Sequence, residues 1–286
     1  MTGQSYVEQA KFFVASGNRL LGIIACPEEP VNTGVLILVG GPQYRVGSHR
    51  QFTLLARSLA ESGVPSMRFD FQGMGDSEGD RRSFEESGVD IAAAIEEFGS
   101  QVPDVEKIVL WGLCDAASSA MMHAADHPEV AGLVLLNPWV QREEPSPEVT
   151  LLSYYGPFIA TRDNWRRLLQ GRVNLRDGLK GLFGDTARVL GRRLHALSRE
   201  SSRLPFVKRM AQGLQAYRHR ALIVLSEHDL TAREFALMSR GDPVWKSLVD
   251  SASVEQYSIA DADHTFSSRK WRQEVERLTI SWVKAL

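Results

Sequence analysis

The first residue of this chain that could do covalent chemistry is a thiol on a sharp turn. The apolar run Val109-Leu110-Trp111 leads into Gly112-Leu113-Cys114-Asp115-Ala116 and then a stretch of small residues. This Gly-x-Cys-x-Ala passage from strand to turn to helix has the form of a nucleophile elbow, with Cys in place of Ser and Ala in place of the last Gly. An elbow needs small residues two before and two after the nucleophile, because strand and helix backbones close on each other there. Gly112 meets that demand fully and Ala116 nearly so. At a helix N-terminus the dipole favours a thiolate, and the Asp115 carboxylate opposes it locally. A cysteine nucleophile needs a base, and the base needs an orienting acid. Ser226-Glu227-His228-Asp229 follows the apolar run 221–225, and Asp261-Ala262-Asp263-His264 follows the run 254–259. Cys114 as nucleophile, His264 as base and Asp229 as orienting acid each stand at the carboxyl end of an expected strand, with Glu227, Asp261 and Asp263 as rival acids. The plainer alternatives are a buried structural cysteine and, for Asp229, the N-cap of a helix beginning near Ala232.

The elements that must position these residues are legible from periodicity. Strands are predicted over 11–15, 20–25, 34–39, 65–69, 107–111, 132–136, 221–225 and 254–259, the first two joined by the turn residues Ser16-Gly17-Asn18. Several runs are continuously apolar, as strands buried on both faces should be. Helices are predicted over 49–62, with Phe52, Leu55, Ala56 and Leu59 on one face, over 115–125, and over 269–285, with Trp271, Val275, Leu278 and Trp282 on one stripe. Residues 84–98 form a weaker candidate that Gly88 interrupts. Two strands followed by alternating strand and helix predict an α/β fold. Its sheet is eight-stranded, doubly wound and mostly parallel, with helices on both faces. Residues 141–214 break the alternation. They carry 14 Lys/Arg against 7 Asp/Glu, a surplus of +7 that leaves −9 on the remainder. Their candidate helices, 164–170, 175–183 and 186–197, read as a basic helical cap inserted after the sixth strand, with 1–140 and 215–286 as the core.

The 286 residues are 43% apolar and 24% charged with a net charge of −2, a globular composition that argues against nucleic acid as the main partner. No apolar run reaches the length of a membrane span, and the polar N-terminus lacks a signal-peptide core. With only Cys26 and Cys114, a disulfide framework is excluded and a reducing, cytoplasmic location is expected. No Cys/His spacing suits a metal, and no cofactor is expected.

The order nucleophile, acid, histidine is that of α/β-hydrolases, and the chain resembles that superfamily over its whole length. More closely, it resembles the bacterial hydrolases associated with the exosortase A system (the type 1 group). The matching segments are Gly40-Gly41-Pro42-Gln43-Tyr44-Arg45-Val46-Gly47-Ser48-His49-Arg50-Gln51-Phe52, then Arg68-Phe69-Asp70 with Gly73-Met74-Gly75-Asp76-Ser77, then Trp111-Gly112-Leu113-Cys114-Asp115-Ala116, and Asn137-Pro138-Trp139. The resemblance implies an α/β-hydrolase fold and acyl-bond chemistry, and it leaves the substrate open. In such folds the loop after the third strand supplies a second oxyanion donor beside the backbone N–H of the residue after the nucleophile, here Asp115. Pro42 has no N–H, so the loop donor moves to Gln43 or else Tyr44. The loop 70–77 reads as structural, its glycines permitting unusual backbone angles.

Tyr44, Arg45, His49 and Trp139 are the candidate substrate-binding residues, with Tyr154 or Tyr155 from the cap. Arg45, His49 and Arg50, together with the basic cap, point to an anionic substrate, such as a carrier-bound thioester. A solvated basic face, or weak contact of the cap with a membrane surface, is the alternative. The chemistry expected is hydrolysis of an ester or thioester, on a small or carrier-bound acyl substrate, through an acyl-cysteine. The same intermediate would serve an acyltransferase, and polyhydroxyalkanoate synthases share a cysteine elbow and a similar triad. A non-catalytic module of this fold that binds an acyl ligand or a protein is the third alternative.

Overall fold

A computed structural model describes residues 4–41, 43–140 and 205–286, and residues 4–41, 43–140 and 206–286 belong to one compact unit. The expected cap helices, Tyr154, Tyr155 and Pro42 lie outside the described residues.

Eight strands form one sheet. They are β1 (Tyr6–Ala15), β2 (Asn18–Pro27), β3 (Thr33–Leu38), β4 (Ser66–Phe69), β5 (Lys107–Leu113), β6 (Val130–Leu136), β7 (Arg220–Ser226) and β8 (Val254–Ile259), in the spatial order β1-β2-β4-β3-β5-β6-β7-β8. The β1–β2 hairpin turns at Ser16 and Gly17, both at positive φ, and β2 also pairs antiparallel with β4. Every other pairing is parallel. All residues of β3 and β4 are buried, including Ser66 and Arg68 of β4, and the buried β3 reads as a largely apolar run. β8, at the edge, is exposed along most of its length.

Among the described residues the α-helices are α1 (Gln51–Glu61), α2 (Gly88–Gln101), α3 (Asp115–His123), α4 (Phe206–Ala216), α5 (Leu230–Gly241), α6 (Pro243–Val249) and α7 (Arg269–Val283). The expected stripe of α1 is buried, and its Phe52 ring meets Trp111 of β5 edge-on at 5.7 Å. The indole N–H of Trp111 donates to Thr279 Oγ1 of α7 at 3.2 Å, so α1 and α7 share this side of the sheet. Gly88 does not interrupt a helix but begins one, after a short 3₁₀ turn at Phe84–Glu86. A β-carbon there would lie 2.7 Å from His123 Nδ1, so the glycine lets α2 close on α3. Two further elements depart from expectation. α6 has no counterpart in the periodicity. α4 lies within the stretch assigned to the cap, yet it belongs to the core, with Met210 and Leu214 buried. Its Gly213 lies against the Met121 carbonyl of α3 so closely that a β-carbon would clash.

Candidate active site

β5 delivers Cys114 into the one-residue gap before α3. The cysteine holds φ 63°, ψ −125°, a backbone state that side-chain-bearing residues rarely adopt. Its N–H donates to Leu136 O at 2.9 Å, and its carbonyl accepts from Ala117 at 3.1 Å and from Trp139 N–H at 3.2 Å. The need for small neighbours is geometric. A β-carbon on Gly112 would lie 2.6 Å from Ala116 C and 2.7 Å from Ala117 N, both backbone atoms.

His264 stands in the loop after β8 and Asp229 in the loop after β7. His264 Nδ1 and Asp229 Oδ2 are 2.9 Å apart. Asp229 is also the N-cap of α5: it accepts from Thr231 N at 3.3 Å and Ala232 N at 3.0 Å. The N-cap reading of Asp229 holds, and its two backbone donors fix the carboxylate that faces the imidazole. Burial works against a charged His264 ring. The hydrogen bond to the Asp229 carboxylate and then the interaction with Cys114 favour the charge and prevail, so its pKa is pushed up to about 10.

The rival acids are engaged elsewhere. Asp263 accepts from Thr265 N, Ser267 N and Ser267 Oγ within its own turn. Asp261 is exposed and lies 3.8 Å from His228. Glu227 is exposed, and its backbone carbonyl accepts from Arg233 Nε.

Asn137 is a positioning residue that sequence reasoning did not single out for a role. Fully buried at the end of β6 with φ 43°, it donates from Nδ2 to Ser226 Oγ at 2.9 Å and to the His264 carbonyl at 3.0 Å. Its Oδ1 accepts from Ser226 N at 2.8 Å, and Ser226 Oγ donates to the Asp263 carbonyl at 2.9 Å. The ends of β6 and β7 are thereby stitched to the backbone that carries His264. The available signal was a lone Asn after an apolar strand, the residue type that tolerates left-handed backbone.

Gly41 N–H is engaged, donating to Asp115 Oδ1 at 2.7 Å. Burial pushes the Asp115 carboxyl up, and the Gly41 and Ala116 amides pull against that. Among the described residues nothing accepts from the N–H of Gln43 or Tyr44. The Gln43 side chain folds back, its Oε1 accepting from Ser48 N at 2.9 Å.

Arg45 is not free to meet a ligand. Its guanidinium pairs with buried Asp70 and, at 2.7 Å, with Asp76, and its N–H donates to Asp70 Oδ1 at 2.6 Å. Asp70 also accepts from Asp76 N at 3.0 Å, so loop 70–77 is a structural clasp on the loop after β3. Tyr44 and His49 are exposed, and His49 is close enough to Asp263 to bias its charge. Trp139 is half-buried, with its carbonyl accepting from Ser118 Oγ at 2.7 Å. Among the described residues no group of three His, Cys, Asp or Glu could hold a metal ion, and no helix is long and apolar enough to cross a membrane.

Comparison with known proteins agrees with this architecture. The family model of the alpha/beta hydrolase family matches residues 35–277. Curated proteins give no match. Among solved structures, the esterase Pf2001 of Pyrococcus furiosus superposes with TM-score 0.64 at 13% identity, covering 100% of this chain and 97% of that one. A dienelactone hydrolase from Anabaena variabilis gives TM-score 0.61 at 14% identity, with 98% of each chain covered. An alpha-beta serine hydrolase homologue from Coxiella burnetii gives 0.58 at 18%, covering 98% and 97%. At these identities the superpositions speak to the fold, and with the family match over most of its length the chain belongs to the alpha/beta hydrolase family.

Proposed function

We propose that the chain hydrolyses ester or thioester bonds through an acyl-cysteine on Cys114, with His264 as acid and base and Asp229 as its orienting carboxylate. The observation that carries this reading is the 2.9 Å contact between His264 Nδ1 and Asp229 Oδ2 on a ring that also interacts with the Cys114 thiol. His264 holds the proton of Cys114 as the sulfur attacks the carbonyl carbon. A C–S bond forms, and the negative oxygen is held by the N–H groups of Asp115 and Gln43; one such donor contributes about 3 kcal/mol in comparable sites. His264 then gives its proton to the leaving oxygen or sulfur as the old bond breaks. Having given up that proton, the ring is neutral and takes one from water. The hydroxide formed attacks the thioester carbon, the C–S bond breaks, and the acid leaves.

The finer affiliation, with hydrolases associated with the exosortase A system, rests on the motifs quoted above. The two free thiols, Cys26 and Cys114, suit a reducing compartment, and a cytoplasmic location is part of this proposal. Turnover of p-nitrophenyl acyl esters tests the reading. Cys114→Ala is expected to abolish turnover while the circular dichroism spectrum stays that of the parent. Full activity in that folded variant would end the acyl-cysteine proposal.

A further inference from the structure

A cavity of about 340 Å³ opens beside the elbow and is lined by Gly41 and Asp115, the residues on either side of the 2.7 Å contact between the loop after β3 and α3. This volume is within the range of small-molecule sites. Its walls are apolar where Phe71, Met74 and Phe84 line it. Its floor includes the hydroxyls of Ser87 and Ser119, which bond to each other at 2.5 Å. Two further lining residues, Arg81 and Arg82, are basic. Arg81 is exposed and Arg82 half-buried, and among the described residues neither makes a hydrogen bond or ion pair. The backbone of Arg81 lies directly against Gly73, which anchors this segment to the loop after β4.

The cavity has two carboxylates of its own. Asp90 is taken up by the backbone and side-chain amides of Gln72, and Asp115 is held by backbone amides. Arg81 biases Asp115 electrostatically without contacting it. Two arginines thus line a cavity whose own acids are hydrogen-bonded to amides. This differs from Arg45, which the structure spends on Asp70 and Asp76.

We propose that this cavity receives the acyl part of the substrate, and that Arg81 and Arg82 select an acyl group carrying its own negative charge, such as the half-ester or half-thioester of a dicarboxylic acid. The proposal rests on the acyl-cysteine reading for its orientation: with the carbonyl at Cys114 and its oxygen at the Asp115 N–H, the chain beyond the carbonyl enters the cavity. Planar, forked guanidiniums bind a carboxylate through paired, charge-assisted hydrogen bonds.

The test separates binding from turnover. In the Cys114→Ala chain, calorimetry compares monoethyl succinate, glutarate and adipate with ethyl butyrate, valerate and hexanoate, the uncharged counterparts of matched length. The best half-ester is expected to bind at least about tenfold more tightly, a factor equal to about 1.4 kcal/mol, and rising salt is expected to weaken that preference. Arg81→Ala/Arg82→Ala is expected to bring the ratio to near one, and Arg81→Lys/Arg82→Lys to keep part of it. Equal or tighter binding of the neutral esters, or a preference that survives the double alanine change, overturns the proposal. Mass analysis of wild-type chain with the same compounds reports on the other reading. If half-esters bind selectively but never acylate Cys114, the acyl-cysteine reading fails and the anion site stands.

Discussion

Cys114 gives a sign reversal that can be worked from its backbone. At φ 63°, ψ −125° a residue with a β-carbon stores about 1–3 kcal/mol of strain. Cys114→Ala keeps the β-carbon and therefore the strain. Cys114→Gly removes both, against a penalty of about 0.5–1 kcal/mol for the looser unfolded chain. Because both variants lack the sulfur, its packing cancels from the comparison. The glycine variant should be the more stable by about 1 kcal/mol, whereas at an ordinary helix or strand position alanine is the more stable of the two. Urea unfolding reads this as a midpoint difference of roughly 0.3 M for a slope near 3 kcal/mol/M, provided that the slopes agree. Both variants should be inactive toward acyl esters. An alanine variant as stable as the glycine variant, or more so, would refute the claim that the fold holds this residue under strain to present its sulfur.

Gly112→Ala drives a β-carbon to within 2.7 Å of the α3 backbone, so a loss of about 1–3 kcal/mol in stability is expected by urea unfolding, together with loss of esterase activity as the elbow widens. Asp229→Asn removes the carboxylate that holds the His264 proton. The carboxylate favours the charged ring, so its loss lowers the ring's pKa from about 10 toward the ordinary 6.5. The alkaline limb of the kcat/KM profile should move to lower pH accordingly, and an unmoved limb would sever Asp229 from the ring. Asn137→Ala leaves Ser226 N–H and the His264 carbonyl without their partner, which should destabilise the chain by about 2–4 kcal/mol. In the same variant kcat should fall more than KM rises, as the His264 backbone loosens.

Much of this architecture is written locally. The central strands β5, β6 and β7 announce themselves because burial on both faces gives nearly unbroken apolar runs, and α1 because its stripe meets Trp111. Cys114, Asp229 and His264 could be proposed from the sequence because each follows an expected strand in the order the fold requires. What was not legible depends on contacts between distant parts of the chain. Gly88 looks like a helix breaker until His123 is seen against it. The N–H of Gly41 is bound by a carboxylate 74 positions away, which no loop motif reveals. Arg45 looks free in the sequence because Asp70 and Asp76 come to it through the fold of another loop. Arg81 and Arg82 look like any exposed basic pair until the cavity is seen beside them. α6 had a readable signal that went unused: Asp242 caps it, accepting from Val244 and Trp245, and Pro243 stands in its first turn.

The most direct measurement is intact mass followed by peptide mapping, after brief exposure of the chain to a panel of acyl-thioesters and acid quench. The expected result is a mass gain of one acyl group, confined to the peptide that contains Cys114, absent from Cys114→Ala and long-lived in His264→Ala once formed by an activated ester. Cys26 is the internal control, because burial, with Asp104 nearby, keeps its thiol protonated and it should remain unmodified. Acylation of Cys26 in preference to Cys114, or no adduct from any member of the panel, would contradict the central claim.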